Sequence, residues 1–384
     1  MSEKKINYYL QEMVSIEASD LYITTDLPAT YRVQSNLVRS KDESFTTSDI
    51  EKLVKEFLTD EQMQDFLSTL ELNVAYSIGE ERFRINVFYQ QKNIGLVVRH
   101  IKSKIPTFKD LGLPESYRDF IMAKRGLFLI AGATGSGKST SVAACLEHRN
   151  NKGSGHIVTI EDPIEYVFKH KNCIFTQREI GIDTYSYGIA LKNAFRQAPD
   201  VIFIGEIRDR DSIENAIMFS ETGHLVVATI HASNTNQTFE RILSLYPEEV
   251  HNQILISLSH NLVALCGQRL VKNLTGNLVL SYEILKNEGL VTELIREGKF
   301  HEIKEVINKN LNNGMMSFDE SLFRLYRDKI ITRETALKEA DNPNNLRLRL
   351  SQFSESNLST SLKGITQTTV DEDTLYGKNK KSDF

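Results

Sequence analysis

The sequence predicts an α/β fold in which a parallel sheet carries helices on both faces. Apolar strands at 127–131, 156–160, 201–204 and 225–230 alternate with amphipathic helices between about 118 and 350. A glycine-rich loop separates the first of these strands from the start of a helix. The chain has 384 residues, of which 40 % are hydrophobic and 25 % are charged, so its length and composition suit two globular domains with additional segments.

Changes in pattern along the chain predict four segments. Residues before about 104 mix helical and strand patterns, and Pro106 and Pro114 punctuate the stretch that follows. The end of the chain is rich in Ser and Thr and poor in large apolar residues, which is typical of disorder. The predicted segments are a first domain at 1–104, a hinge-like linker at 105–117, an α/β core at 118–350 and a disordered tail at 351–384.

One hairpin of the first domain can be predicted with its register. The strands RFRINVFY and IGLVVRHI flank a turn at 90–93, and a symmetric turn fixes the cross-strand partners. The apolar partners are Ile85 with Val98 and Val87 with Leu96. The same register sets Arg84 directly opposite Arg99, where an anion would relieve their repulsion. The two arginines are either a phosphate clamp, such as a pair of arginine fingers, or solvated side chains.

The glycine-rich loop fits the phosphate-binding pattern G-x-x-x-x-G-K-[ST] in the required order of strand, loop and helix. Glycines allow positive φ, so that backbone N–H groups can point inward around a polyphosphate. The predicted nucleotide-binding residues are Gly132, Ala133, Thr134, Gly135, Ser136, Gly137, Lys138, Ser139 and Thr140. Lys138 is expected to reach the β and γ phosphates, and Ser139 to ligate Mg²⁺. The predicted ligand is Mg-ATP, and an ordinary glycine-rich turn is the alternative.

Acidic residues follow two of the predicted strands, at the edge where open α/β sheets bind ligands. In EDPIEY, at least one of Glu161, Asp162 and Glu165 is expected to act as a base for water, whereas helix capping is the alternative role. Gly205 occupies the place where many such ATPases carry an aspartate. Glu206 is therefore predicted to serve the Mg²⁺ shell.

Two histidines bracket the strand LVVATI, and both are expected near the ligand edge of the sheet. His224 and His231 are candidates for sensing the γ-phosphate or polarising water, and satisfied structural histidines are the alternative. Arg208 and Asp209 suit a subunit interface, with a solvated ion pair as the simpler interpretation.

Bulk properties disfavour several classes of protein. The net charge of −5 argues against a nucleic-acid partner. The three cysteines, Cys145, Cys173 and Cys266, lack C-x-x-C spacing, so neither a zinc site nor a disulfide framework is expected. The longest apolar run is too short to span a bilayer and the first residues lack a signal-peptide core, which predicts a cytoplasmic protein.

Four motifs, GATGSGKST, TIEDPIEY, QAPDVIFIGEIRD and ETGHLVVATIHA, resemble in order and spacing the nucleotide motifs of the secretion and type IV pilus ATPases. The resemblance runs from about Ser19 to Leu350 and is strongest to the PilT/PilU retraction ATPases. The segments QREIGIDT, ALKNAFRQAPD and DNPNNLRLRL are more similar to the PilU branch of this family.

The resemblance implies an N-terminal PAS-like α+β domain hinged to a RecA-like ATPase core with a C-terminal helical part. By the same resemblance Glu165 is the catalytic glutamate, Glu206 the Walker B acid, and His224 and His231 the His box. Arg84 and Arg99 match the N-terminal arginines that reach a neighbouring γ-phosphate. The segment LIREGK at 294–299 resembles a retraction-linked motif, although the preceding Val, Thr and Glu differ from the family pattern.

For function, the resemblance implies a hexameric ATPase on the cytoplasmic face of the inner membrane that removes pilin subunits from a pilus. The implied partners are a membrane platform protein and a second motor of the PilT type. Alternatives are a non-hydrolysing ATP-binding adaptor, a nucleic-acid translocase, and an extension or type II secretion ATPase. The last is disfavoured because the chain lacks a longer N-terminal region and a four-cysteine zinc module.

Overall fold

The computed structural model describes residues 5–34, 36–101 and 104–353. Their first part forms an antiparallel six-stranded sheet. The strands are β1 (Asp20–Ile23), β2 (Thr30–Val33), β3 (Asn36–Arg39), β4 (Glu71–Ile78), β5 (Glu81–Gln90) and β6 (Asn93–Ile101). They lie in the order β3-β2-β1-β6-β5-β4, because β1 pairs with both β2 and β6.

Three helices cover the apolar face of this sheet. They are α1 (Lys5–Ser15), α2 (Thr47–Phe57) and α3 (Asp60–Thr69). Capping boxes begin α2 at Thr46 and α3 at Thr59, where each threonine accepts from the backbone three residues on. The apolar stripe of α2 packs into one core with buried residues of β5 and β6, so this part of the chain has its own hydrophobic centre.

The β5–β6 hairpin has the predicted register. Arg84 lies opposite Arg99, and the apolar pairs Ile85–Val98 and Val87–Leu96 are fully buried. The two turn residues, Gln91 and Lys92, both adopt positive φ, 48° and 67°, which matches the twist of a two-residue hairpin turn. The local turn and the burial of one face therefore select the same pairing.

The second sheet has seven strands and carries the candidate site. The strands are β7 (Gly126–Ala131), β8 (Gly155–Glu161), β9 (Cys173–Glu179), β10 (Val201–Ile207), β11 (Leu225–Ile230), β12 (Leu262–Lys272) and β13 (Leu278–Lys286). Their order is β13-β12-β7-β11-β10-β8-β9, and the pairs from β12 to β9 are parallel. The four predicted strands are confirmed as β7, β8, β10 and β11. The carboxyl ends of the parallel strands meet at one edge.

Helices alternate with these strands, as predicted for an α/β fold. They are α4 (Phe108–Leu111), α5 (Ser116–Ile121), α6 (Lys138–Lys152), α7 (Tyr187–Ala194), α8 (Arg210–Glu221), α9 (Thr235–Leu243), α10 (His251–Asn261), α11 (Leu290–Arg296), α12 (Phe300–Lys309), α13 (Phe318–Arg327) and α14 (Arg333–Glu339). Residues 343–353 are also helical. Strands β7 and β11 are buried along their whole length, because helices cover both faces of the sheet.

The chain divides into two compact units. One comprises Met1–Leu270 and Tyr282–Met316, and the other comprises Val271–Ser281 and the described chain from Ser317. The second unit has its own small core, which includes Leu322, Ile331 and Leu350. The predicted segment boundaries at 104, 117 and 350 remain predictions. Of the predicted tail, residues 354–384 lie outside the described residues.

Within the part of the chain that the structure describes, no helix is both long and apolar enough to cross a membrane.

Candidate functional site

The glycine-rich loop occupies the connection between β7 and α6. Gly135 and Gly137 adopt φ of 77° and 86°, in the left-handed region that favours glycine. Helix α6 begins directly after Gly137 without a side-chain cap hydrogen bond, and its first turn has no acidic residue. The first N–H groups of α6 and the positive end of its dipole are therefore free to bind an anion.

Close packing fixes the shape of this loop. A Cβ at Gly132 would lie 2.3 Å from Ser136 Oγ and 2.8 Å from the carbonyl oxygen of Gln268. The Ser136 hydroxyl is buried and has no hydrogen-bond partner among the described residues, so it is a polar group available to a ligand. The loop thus forms a backbone cradle, and its first position has no space for a residue larger than glycine.

Lys138 is held at the mouth of the cradle by the loop itself. Its ammonium donates to the carbonyl oxygens of Gly132 at 2.7 Å and Ala133 at 2.9 Å. Burial lowers the pKa of Lys138, and the nearby charge of Glu206 opposes that shift. A partly desolvated cation held by neutral carbonyls is prepared to exchange them for phosphate oxygens.

Neighbouring side chains contact the remaining loop residues. Thr134 donates its backbone N–H to His231 Nε2 at 3.3 Å, and the Tyr166 hydroxyl donates to Thr140 Oγ1 at 3.2 Å. Ser139 is half-buried in the first turn of α6. The structure therefore places His231 beside the loop, as the position after β11 predicts.

His224 does not lie beside the loop of its own chain, and its predicted place near the ligand edge is wrong. Its carbonyl accepts from Gly126, the first residue of β7, so His224 lies at the opposite edge of the sheet. A six-residue strand spans about 20 Å, which separates the two histidines. The His224 ring packs edge-on against Phe195 and Phe219, in the structural role that the alternative interpretation described.

The three acids after β8 have different environments. Glu161 is 5 % exposed and accepts from the Thr159 hydroxyl at 2.7 Å, and burial raises its pKa to about 7. Asp162 is half-buried, whereas the Glu165 side chain is exposed. The backbone N–H of Ile164 donates to buried Glu179 at 3.3 Å, which fixes the backbone just before Glu165. Glu165 is thus the most exposed acid of this segment.

Gly205, the residue before Glu206, lies in a tightly packed position. A Cβ at Gly205 would lie 3.1 Å from the Tyr187 hydroxyl and 3.2 Å from the backbone of Ile160 and Glu161. The pairing of β10 with β11 is also irregular between Ile204 and Ile207. A side chain at 205 would require these neighbours to shift by a few tenths of an ångström, and the acid that the chain places at this strand end is Glu206.

Arg208 and Asp209 do not pair as a solvated couple. Arg208 donates from Nε to Glu206 at 2.6 Å and from Nη1 to Asp162 at 3.1 Å. Asp209 instead caps α8 by accepting from the backbone N–H of Ser212 at 2.8 Å. Sequence reasoning missed the role of Arg208, and the only signal was its position two residues after Glu206.

Arg84 and Arg99 face each other as predicted, but protein carboxylates relieve their repulsion. Arg84 Nε lies 3.7 Å from Glu179 Oε1, and Arg99 Nε donates to Asp20 at 3.1 Å. Burial raises the pKa of Glu179, and the Arg84 charge opposes that shift. The pairing brings Arg84 to the carboxyl end of β9, next to the acidic segment, whereas Arg99 bonds within its own sheet.

The chain is similar to known proteins over most of its length. A family model described as Type II/IV secretion system protein matches residues 1–369. The type IV pilus ATPase PilU of Pseudomonas aeruginosa is 42 % identical over 369 residues, which cover 95 % of this chain and 97 % of that protein. The "Type IV pilus retractation ATPase PilT" of the same organism is 36 % identical over 329 residues, covering 85 % and 96 %.

Solved structures show the same fold. The crystal structure of the pilus retraction motor PilT with bound ADP matches with a TM-score of 0.84 and 37 % identity, covering 90 % of this chain and 99 % of the other. The ATPase DotB of Legionella pneumophila matches with a TM-score of 0.74 over 86 % of this chain and 93 % of its own, at 23 % identity.

The first prediction concerns the cradle. Gly132→Ala should weaken binding of a fluorescent ADP at least about tenfold, because the new methyl group collides with Ser136 and the Gln268 backbone. Gly188→Ala is the matched control, since a Cβ there meets nothing within 4 Å among the described residues. Fluorescence titration measures both affinities, and equal binding by the two variants would contradict the geometry.

A second prediction concerns the buried Glu161. Because its folded-state pKa is about 7 and its ordinary value is 4.5, the folded chain holds a proton in this interval that the unfolded chain releases. The stability of the wild type relative to Glu161→Gln should fall by about 3 kcal/mol as the pH rises from 4.5 to 7. Thermal unfolding at several pH values tests this. Glu288→Gln, which changes an exposed glutamate, should show the same dependence of stability on pH as the wild type. If Glu161→Gln also showed the wild-type dependence on pH, the proposed proton uptake by Glu161 would be excluded.

Proposed function

The chain belongs to the Type II/IV secretion system protein family, and from this premise we propose that it is an ATP-hydrolysing motor for type IV pilus retraction. The observation that carries the proposal is the start of α6, which follows a glycine-rich loop, has no side-chain cap and begins with Lys138. Acidic side chains lie at the same edge of the sheet. The 42 % identity to a PilU over 95 % of the chain supports the pilus as the load. The proposed motor is a hexamer that works with a second motor of the PilT type, as the sequence resemblance implies.

The loop Gly132–Thr140 binds the triphosphate of ATP. Its backbone N–H groups and the first turn of α6 surround the phosphates, and Lys138 transfers its hydrogen bonds from the loop carbonyls to the β and γ phosphates. The unpartnered Ser136 hydroxyl supports a polar ligand in this cradle. Binding therefore uses groups that the structure already holds in position.

Mg²⁺ fits the donor set at this edge. Ser139 in the first turn of α6 would hold it directly, and Glu206 through water. Among the described residues, no group of three or more His, Cys, Asp or Glu is arranged to hold a metal ion. When bound, Mg²⁺ neutralises charge that develops on the phosphates.

Hydrolysis requires a base near the γ-phosphate, and Glu165 has the matching environment. Its side chain is exposed, while neighbouring Glu161 is buried and accepts hydrogen bonds from Thr159 and from the backbone of Glu165. We assign Glu165 the role of accepting the proton from the attacking water, and Glu206 would help to hold the Mg²⁺ ion through water. His231, which bonds the Thr134 N–H, is the histidine that senses the occupied loop. His224 has no such role toward the loop of its own chain.

The arginines couple hydrolysis to assembly in this proposal. Arg84 and Arg99 of one subunit reach the γ-phosphate held by the next, which requires Arg84 to leave Glu179. The PAS-like domain at 1–104 then moves on the linker at 105–117 against the RecA-like core at 118–350. Cycles of closing and opening around the ring, at the cytoplasmic face of the inner membrane, drive a platform protein and return pilin subunits to the membrane. The segment 294–299, whose first three residues end α11, resembles a retraction-linked motif, and this resemblance supports the retraction direction.

A third prediction tests the enzyme. Lys138→Ala should abolish phosphate release, because the cation that reaches the β and γ phosphates is lost. Lys152→Ala, which removes an exposed lysine from the end of the same helix, should keep the wild-type rate. Steady-state phosphate release from purified hexamers measures both, and an unchanged rate in Lys138→Ala would overturn the assignment of the loop.

A fourth prediction separates binding from chemistry. Glu165→Gln should retain ATP without hydrolysing it, since the amide keeps the shape of the side chain but accepts no proton from water. After rapid desalting, the variant should carry ATP, whereas wild type should carry ADP. Recovery of ADP from the variant at the wild-type rate would remove Glu165 from the role of base. Retention of ATP by wild type, alone and with a second motor, would indicate a non-hydrolysing adaptor instead.

A further inference from the structure

The Arg208 guanidinium joins two carboxylates that belong to neighbouring strand ends. Its Nε donates to Glu206 at the end of β10, and its Nη1 donates to Asp162, directly after β8. The two carboxylates are a quarter and a third exposed, so water screens this contact only in part. The planar guanidinium of Arg208 thus links the carboxyl ends of β8 and β10 at the candidate site.

The backbone on both sides of Arg208 is fixed. On the N-terminal side, Gly205 packs tightly against the Tyr187 hydroxyl and the β8 backbone. On the C-terminal side, Asp209 and Ser212 form a capping box that begins α8. The backbone of Arg208 is therefore held on both sides, and its hydrogen bonds to the two acids do not depend on a flexible loop.

The hydrogen bond from Arg208 determines which cation the Glu206 carboxylate contacts. Oε2 of Glu206 accepts from Arg208, while the Lys138 ammonium bonds loop carbonyls and lies close enough to Glu206 for their charges to interact. The end of β10 lies two strands from the end of β7, since Ile207 pairs with Ile230 and Ile230 pairs with Ala131. Two strand spacings are about 10 Å, and the Lys138 ammonium already bonds the carbonyl of Gly132, the residue after Ala131, so a glutamate side chain released by Arg208 can reach toward it. An ion pair between Lys138 and Glu206 would occupy the lysine that the phosphates need.

We propose that Arg208 is a positioning residue that holds Glu206 away from Lys138 and so keeps the lysine available for a nucleotide's phosphates. This inference rests on the proposed nucleotide-binding function of the loop. Arg208 touches neither substrate nor reacting atoms in this proposal, and it acts through the two carboxylates that it bonds.

The test measures binding of N-methylanthraniloyl ADP to the purified full chain in EDTA, so that no metal contributes. Arg208→Ala should weaken binding about five- to tenfold, because Lys138 is diverted to Glu206. Arg208→Gln, which keeps part of the side-chain stem, should weaken binding in the same direction. Arg210→Ala is the matched control, since Arg210 is equally exposed, lies two residues on and pairs with Glu214. It should bind like wild type.

A second substitution distinguishes positioning from a structural effect. Glu206→Gln in the Arg208→Ala background removes the competing carboxylate, so ADP binding should return to the level of Glu206→Gln alone. A double variant that binds as weakly as Arg208→Ala would overturn the inference, as would wild-type affinity in Arg208→Ala. Failure of the proposed function gives another result, because the wild-type chain itself would then not bind the fluorescent ADP.

Discussion

Close approach of backbone to backbone at Gly132 is the constraint on which the site depends. The space for a Cβ there is filled by Ser136 Oγ and by the Gln268 carbonyl, so the loop curls tightly onto β12 before α6 begins. This curl places Lys138 against the carbonyls of Gly132 and Ala133 and leaves the first turn of α6 uncapped. The parallel strands then bring their own ends to the same edge, which surrounds the cradle with the acids and with His231.

The acidic side chains at this edge differ in protonation and in partners because their surroundings differ. Burial favours the protonated form of Glu161 near neutral pH, which limits the negative charge beside the cradle. Arg208 balances Glu206 and Asp162, and Glu165 remains exposed. One guanidinium thus balances part of the charge of two carboxylates, which reduces the repulsion that a polyanion meets at this edge.

Much of this arrangement follows from local sequence. The loop, the four inner strands and the register of the β5–β6 hairpin were predictable, because each depends on a few neighbouring residues and on an alternation of apolar side chains. His224 was misplaced because proximity in sequence to His231 does not mean proximity in space when a six-residue strand separates them. Glu179, Asp20 and Asp162 bond Arg84, Arg99 and Arg208 from far along the chain, and no local pattern identifies these three acids as partners. Strands β9, β12 and β13 were also missed.

The central claim is that the loop between β7 and α6 binds the phosphates of a nucleotide, and comparison of ADP with AMP tests it most directly. The two ligands differ by the β-phosphate, which the cradle and Lys138 are expected to hold. Calorimetric titration of the purified chain should show ADP binding at least about a hundredfold more tightly than AMP. Equal affinities would contradict the account, because binding would then depend on the base and ribose rather than on this loop.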